Sequence, residues 1–195
     1  MSPGAQRSSR TLEVAETVAD VLAARGAESA VIGAVALAAH GYVRATRDFD
    51  LATFTDPFSR LREAKEVLER SGFRAELRSP DAEDPLGGVL DIQGEGFQPI
   101  QVVNYLNPLA PRVSDLGLEA VREAQPGLLR NSRLRVVTLP FLIALKLYAG
   151  GAKSRADVAE LLERQERLDL KPIRDVARRF GLVDEFERVV AELGR

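Results

Sequence analysis

The segment from Ala30 to Thr53 constrains the fold of this chain more than any other part of the sequence. A short apolar run ends at Gly33, a stretch of small residues typical of a short helix follows, and the segment closes on Asp48 and Asp50. Apolar residues around the two aspartates predict a strand, on which alternate residues share one face. Two carboxylates placed in this way suit a hard divalent cation such as Mg²⁺.

The remaining pattern predicts an α/β (α+β) fold, with a small mixed sheet flanked by helices and an all-helical C-terminal portion. We expect a flexible polar tail over residues 1–10, an α/β domain over 11–137 and a helical subdomain over 138–195 packed on it. Gly94 and Gly96 predict a hairpin between two strands. The predicted strands cover residues 29–32, 48–51, 73–78, 87–93, 99–105 and 134–137. The predicted helices cover residues 11–25, 34–40, 57–70, 114–124, 141–148, 155–164 and 172–193.

Composition excludes several kinds of site. The chain has no cysteine and one histidine, which excludes disulfides, thiolate sites and multi-histidine zinc sites. A net charge of −2 does not favour nucleic acid or anionic membranes, and the few aromatic residues argue against a stacking platform for single-stranded RNA. No apolar run is long enough to cross a membrane, and no signal peptide is recognisable. We therefore expect a cytoplasmic protein with no membrane partner, whose metal would be held by carboxylates.

The central segment resembles the signature of the nucleotidyltransferase (polymerase-beta-like) superfamily. The similarity is greatest to small bacterial members related to toxin–antitoxin and abortive-infection nucleotidyltransferases, which read GG-x-A-L-x-x-H-G-x-x-R-x-T-x-D-[hydrophobic]-D-L. The positions that fit are Gly33, Ala36, Leu37, His40, Gly41, Arg44, Thr46, Asp48, Asp50 and Leu51.

The resemblance implies an Mg²⁺- or Mn²⁺-dependent enzyme that moves NMP from an NTP to a hydroxyl of a protein, RNA or small molecule. It makes residues 11–137 the nucleotidyltransferase-like domain and assigns the metal to Asp48 and Asp50. The nucleotide-binding residues that it implies are Gly33, Ala34, Arg44, Thr46, Lys146 and Asp157. Ala34 departs from the pattern, because relatives carry a second glycine or a serine there.

The same resemblance requires a third carboxylate on a strand beside Asp48 and Asp50, and two residues compete for that catalytic position. Gln101, in the strand IQVV, stands where the relatives carry aspartate. Asp91, in VLDI, lies on the preceding strand of the predicted hairpin. Glutamine can coordinate a metal through its oxygen but cannot act as a base. The sequence leaves both possibilities open.

The C-terminal part carries a segment similar to the relatives' h-K-x-x-A…K-D-x-x-D. Lys146 interrupts an apolar helix, which indicates either a polar partner for its ammonium group or a stem that extends the charge to water. Ser154 replaces the first aspartate of the pair, and Asp157 retains the second. Asp157 would alternatively be a first-turn carboxylate favoured by the helix dipole. His40 is expected to be satisfied by backbone carbonyls, and Thr46 to hydrogen-bond locally.

Two other functions stay open at this level. Ala34, Gln101 and Ser154 favour a degenerate member that binds a nucleotide or a partner without turnover. A toxin-like member would modify tRNA or protein and be controlled by an antitoxin partner. For an RNA acceptor, a basic surface would have to form from Arg130, Arg133, Arg135, Lys153 and Arg155.

Overall fold

The computed structural model describes residues 3–110, 115–165 and 168–194. The described strands are β1 (Ser29–Val31), β2 (Phe49–Thr53), β3 (Arg74–Arg78), β4 (Val89–Gln93) and β5 (Ile100–Asn104). The described helices are α1 (Pro3–Ala23), α2 (Gly33–Ala39), α3 (Arg60–Arg70), α4 (Leu116–Arg122), α5 (Leu139–Ala149), α6 (Gly151–Glu163), α7 (Lys171–Arg179) and α8 (Val183–Glu192).

The five strands form one mixed sheet in the order β1-β2-β5-β4-β3. Only the β2–β5 pair is parallel, and β4 and β5 form the hairpin predicted around Gly94 and Gly96. The last of the described strands, β5, therefore lies in the middle of the sheet, between β2 and β4. The structure confirms the predicted α/β fold with a mixed sheet, flanking helices and a helical C-terminal portion.

One face of the sheet is apolar and belongs to the hydrophobic core. Strand alternation directs every second side chain of β2, β4 and β5 to this face. The buried residues that it contributes are Phe49, Leu51, Leu90, Ile92, Ile100 and Val102. The alternate positions include Asp50, Gln101 and Asp91, so the opposite face of the same strands carries polar groups that are available for chemistry.

The first helix begins at Pro3, although we expected a tail over residues 1–10 and a helix from Thr11. Proline is compatible with the first turn of a helix, because its missing N–H would have no partner there. The Thr11 hydroxyl donates to the Arg7 carbonyl at 2.8 Å and accepts the Gln98 N–H at 2.9 Å. These contacts attach the start of α1 to the β4–β5 end of the sheet.

The predicted strand over residues 134–137 is wrong. Val136 forms isolated bridges with Val31 and Gln125, which are too short a ladder to make a strand. The helix expected over residues 57–70 begins later, at Arg60, because Asp56 accepts the N–H groups of Phe58 and Ser59 in a turn. The predicted start of the next helix, Ser114, lies outside the described residues.

The C-terminal helices α5 to α8 share one hydrophobic cluster with the sheet and with α1 to α4. Thr138 is the N-cap of α5 with an extended backbone, and Pro140 lies in the first turn. The division at residue 137 remains a prediction. Among the described helices, none combines the length and the apolar character that a membrane span requires.

Candidate active site

Asp48 and Asp50 lie at the start of β2, on the polar face of the sheet. Asp48 immediately precedes the strand and Asp50 is its second residue, and the two carboxylates are close enough for their charges to interact. Burial raises the pKa of the Asp50 carboxyl, and the charge of Asp48 adds to this effect. Lys146, Arg44 and Lys153 act in the opposite direction. The pair is therefore an anionic centre with three cations around it.

Gly33 lies directly against the Asp50 carboxylate. Its backbone has φ +62°, and a Cβ atom there would overlap Oδ2 of Asp50 and lie 2.8 Å from its Cγ. The Ile32 N–H donates to the Asp50 carbonyl at 3.0 Å, which fixes this approach. Glycine is needed both for the left-handed backbone and for the missing side chain. Ala34, the next residue, is buried with 3% exposure.

Asp50, Gln101 and Asp91 occupy one row across three neighbouring strands. Gln101 on β5 is in register with Asp50 on β2, and Asp91 on β4 is in register with Gln101. The Gln101 Nε2 donates to Oδ1 of Asp91 at 2.6 Å. The structure thus brings both competing residues to the polar face, with Gln101 adjacent to Asp50 and Asp91 one strand further away.

Arg44, Lys146 and Asp157 form a buried ion cluster. The Arg44 guanidinium donates to both oxygens of Asp157, at 3.0 Å and 3.2 Å, and Lys146 Nζ donates to Oδ2 at 2.7 Å. The Asp157 side chain is 4% exposed, so both cations share a desolvated anion. Lys146 therefore has a polar partner within the protein and does not simply extend to water.

The interpretation of Asp157 as a first-turn carboxylate is wrong. The helix α6 begins at Gly151, which places Asp157 in its middle and away from the N-terminal dipole. Gly150 and Gly151, together with the polar residues 153–155, made the helix start hard to locate from the sequence. The side chain is satisfied by Arg44 and Lys146 instead.

Two local predictions are confirmed by hydrogen bonds. Thr46 Oγ1 donates to the Asp48 carbonyl at 3.1 Å and lies 3.4 Å from the Asp48 N–H, so it shapes the entry to β2. His40 Nε2 lies 2.8 Å from the Val137 carbonyl and connects the end of α2 with the start of α5. Burial lowers the pKa of His40, although this hydrogen bond opposes the shift. His40 is thus a structural neighbour of the site.

Tyr105 and Lys153 are near the site but were not predicted as parts of it. Burial raises the pKa of the Tyr105 hydroxyl well above its usual range, with further contributions from Asp50 and Tyr148. Tyr105 follows Gln101 by four residues, so the strand alternation that identifies Gln101 also directs Tyr105 to the same face. Lys153 is exposed, and its positive charge lowers the pKa of Asp50. The packing of α6 against α5 places Lys153 near enough for this effect.

Three of the five residues considered for a basic RNA-binding surface are paired with carboxylates. Arg133 is paired with Glu16 and Asp20, Arg135 with Glu28, and Arg155 with Glu185. These carboxylates neutralise the charges that RNA phosphates would need.

A divalent cation at this site would have to be held by the oxygen atoms of the polar face. Among the described residues, no cluster of three or more aspartate, glutamate or histidine side chains could hold a metal ion. The polar face nevertheless offers the carboxylates of Asp48 and Asp50 and the amide oxygen of Gln101. A cation would relieve the repulsion between the two carboxylates. An all-oxygen set of this kind fits Mg²⁺ or Mn²⁺.

Comparison with known proteins identifies the architecture. No family model and no curated protein sequence matches the chain. The solution structure of the antibiotic-resistance factor ANT(2'')-Ia is similar with a TM-score of 0.54 and 15% identity, over 95% of this chain and 96% of that chain. The crystal structure of ANT(2'')-Ia in complex with adenylyl-2''-tobramycin gives a TM-score of 0.54 and 17% identity, over 87% and 95% of the two chains.

An antigenic nucleotidyltransferase-like protein from Paracoccidioides brasiliensis has a lower TM-score of 0.49 at 13% identity, over 96% of this chain and 94% of that chain. The two ANT(2'')-Ia structures match most of this chain and nearly the whole length of their own chain. The identities are too low to carry an activity or an acceptor across. The chain therefore has the fold of the nucleotidyltransferases.

Proposed function

We propose that this protein transfers NMP from an NTP to a hydroxyl group of an acceptor. The observation that carries the proposal is the pair Asp48 and Asp50, which lies against Gly33 at the start of β2 and is surrounded by Arg44, Lys146 and Lys153. Two like charges in a partly buried site are unfavourable without a cation. A metal–triphosphate complex supplies the opposite charge to the aspartates and anionic oxygens to the basic residues.

Asp48 and Asp50 would hold Mg²⁺ or Mn²⁺, which neutralises phosphate charge when it is bound. The missing side chain of Gly33 lets its backbone lie directly against the Asp50 carboxylate, and Ala34 continues that backbone into α2. Lys146 and Lys153 bring positive charge toward the triphosphate. Thr46 supports Asp48, and Asp157 holds Arg44 and Lys146 in place.

In the proposed reaction the acceptor oxygen attacks the α-phosphorus, the bond to the bridging oxygen breaks, and pyrophosphate leaves. The basic side chains stabilise the negative charge on the leaving pyrophosphate. Gln101 lies next to Asp50 but cannot accept the hydroxyl proton. We propose that water takes this proton, so that catalysis depends mainly on positioning and electrostatics.

A small molecule or a protein is the preferred acceptor in this proposal. The fold neighbour ANT(2'')-Ia was determined with an adenylylated tobramycin, which is a small hydroxyl-bearing molecule. The pairing of Arg133, Arg135 and Arg155 with carboxylates gives little support to tRNA. An antitoxin partner and a cytoplasmic location remain predictions.

A second function is a nucleotide- or partner-binding module without turnover. The observation that favours it is Gln101, which replaces the carboxylate that the resemblance requires beside Asp50. This module would bind a metal–nucleotide complex but release it unchanged. Product formation separates it from the enzyme.

The test is calorimetric titration with each of the four NTPs in Mg²⁺, for the wild type and for the Asp48→Asn/Asp50→Asn variant. The control is Glu83→Gln/Glu95→Gln, which removes the same charge from exposed positions. We expect binding that needs Mg²⁺, survives in the control and is lost in the aspartate variant. Transfer of label from an α-labelled NTP to candidate acceptors then distinguishes the enzyme from the module. The absence of NTP binding by the wild type would contradict the enzyme and the nucleotide-binding module, and would leave a partner-binding module.

A further inference from the structure

The Gln101 side chain is held in one orientation by its neighbour in the polar row. Its amide nitrogen donates to Asp91 Oδ1 at 2.6 Å. An ionised carboxylate only accepts hydrogen bonds, so the amide oxygen would be repelled if it faced Asp91. The two ends of a planar amide point in different directions. With the nitrogen toward β4, the oxygen is directed away from Asp91 and is the end of the amide that can face Asp50 on β2.

Asp91 is itself fixed by Arg78. The Arg78 Nε donates to Oδ2 at 2.9 Å, and its Nη2 lies 3.5 Å from Oδ1. Both oxygens of Asp91 therefore already have donors, and its charge is balanced. The side chain of Asp91 is 19% exposed, whereas that of Arg78 is 58% exposed.

Asp91 is also too far along the sheet to replace the missing ligand directly. Neighbouring strands are about 4.8 Å apart, so Gln101 lies one spacing from Asp50 and Asp91 lies two, roughly 9.6 Å. A residue that binds the same metal ion as Asp50 is therefore more easily supplied by the adjacent strand, β5, than by β4.

We propose that Gln101 is the third protein ligand of the metal, through Oε1, and that Asp91 is a positioning residue that keeps this oxygen toward the metal. The inference rests on the proposed function, because it takes the metal to be held by Asp48 and Asp50. The charge of the donor set is then −2 instead of the −3 of three aspartates. The site therefore binds metal more weakly than a three-carboxylate site would. It also depends on Asp91, because the Gln101 amide can bind metal through its oxygen but not through its nitrogen.

The experiment is titration of the whole chain with Mn²⁺ alone, without nucleotide, followed by calorimetry and by the EPR signal of free Mn²⁺. Gln101→Leu should weaken binding because it removes an oxygen ligand. Asp91→Asn should weaken binding about tenfold, the lower range for partners that orient metal ligands. Gln101→Asp should lower the Kd, because it adds a negative charge.

The double variant Asp91→Asn/Gln101→Asp separates positioning from other roles. A carboxylate has two equivalent oxygens and needs no orienting partner, so loss of the Asp91 charge should no longer weaken Mn²⁺ binding. Circular dichroism and the thermal midpoint of each variant verify that the fold is kept. A merely structural role for Asp91 would give the same loss whichever residue stands at position 101.

Several outcomes would overturn the inference: no Mn²⁺ binding by the wild type, unchanged affinity in Gln101→Leu, or an equal loss on Asp91→Asn in both backgrounds. The expected pattern of Mn²⁺ affinities without NTP binding by any variant would refute the proposed function and leave this inference in place. NTP binding and transfer, together with an unchanged Mn²⁺ affinity in Gln101→Leu, would refute this inference and leave the proposed function in place.

Discussion

Gly33 is the residue at which backbone conformation and chemistry are most closely connected. Gly33→Ala should lower the free energy of unfolding by about 1–2 kcal/mol for the left-handed backbone, and its Cβ should also displace the Asp50 carboxylate. We expect loss of metal-dependent NTP binding in addition to lower stability. Urea denaturation and calorimetry measure the two effects separately.

Gly181→Ala is the matched control for this prediction. Gly181 has φ +69°, close to that of Gly33, but an added Cβ would meet nothing within 4 Å. The control should lose a similar amount of stability and keep NTP binding. Equal NTP affinity in the two variants would show that the contact between Gly33 and Asp50 does not contribute to NTP binding.

Asp50 is expected to reduce stability when no cation is present. Its pKa is raised by burial and by Asp48, so folding disfavours the ionised form. The free energy of unfolding should therefore fall as the pH rises between the unfolded and the folded pKa of Asp50. At about pH 7, above the ordinary carboxyl range, Asp50→Asn should stabilise the protein in EDTA.

This gain for Asp50→Asn should disappear at a pH low enough to protonate Asp50 in both states. Excess Mg²⁺ should raise the thermal midpoint of the wild type but not that of the variant, because a ligand of the folded state stabilises it. Thermal unfolding with EDTA and with Mg²⁺ measures both effects. If Asp50→Asn were less stable than the wild type in EDTA, the ionised Asp50 carboxylate would not destabilise the folded protein, contrary to this prediction.

At the level of elements, the ion cluster joins the loop before β2 to α5 and α6. Asp157→Asn leaves Arg44 and Lys146 without their anion and should cost on the order of 3 kcal/mol, as breaking a buried ion pair does. Lys146→Met leaves the bidentate pair between Arg44 and Asp157 intact and should cost less. Chemical denaturation compares the two variants.

NTP affinity gives the functional half of this prediction. Lys146→Met should weaken NTP binding while most of the stability is kept, because its charge acts on the triphosphate. A loss of stability as large as that of Asp157→Asn, with unchanged NTP affinity, would make Lys146 a purely structural cation.

The sequence identifies individual elements of this protein better than their arrangement. The alternation around Asp50, Asp91 and Gln101 predicts their strands, because strand periodicity is local. The register that makes Gln101 the neighbour of Asp50 depends on the insertion of β5 between β2 and β4, which no local pattern specifies. The ion pair between Arg44 and Asp157 likewise could not be predicted from local sequence, because only the packing of distant elements brings the two residues together.

At the scale of the whole molecule, Glu16 attaches α1 to the segment before α5. Burial opposes the ionisation of Glu16, but the Arg133 N–H, the Ser132 hydroxyl and the Arg133 guanidinium outweigh it and lower its pKa. The stabilisation is therefore present above the ordinary pKa near 4.5 and is lost as the pH falls through the lower folded value. Glu16→Gln should cost on the order of 1 kcal/mol at neutral pH.

The difference between the wild type and Glu16→Gln should vanish in acid, and urea denaturation at a series of pH values measures it. Glu13→Gln is the control, because Glu13 forms an exposed pair with Arg10 that should contribute little. An equal effect of both substitutions, or a difference that persists at low pH, would contradict the role of Glu16.

The central position of β5 has a consequence for how the protein matures. A chain emerging from the ribosome has made β2, β3 and β4 before β5 exists, and β2 and β4 cannot become neighbours of β5 until it is released. Pairings between distant segments form slowly because a long loop must close first. Asp91 and Gln101 come together in a local hairpin, whereas Asp50 joins them only when β2 pairs with β5 across a long loop. The contact between Asp50 and Gln101 is therefore the later of the two to form, and the row is incomplete until the chain has been made through β5.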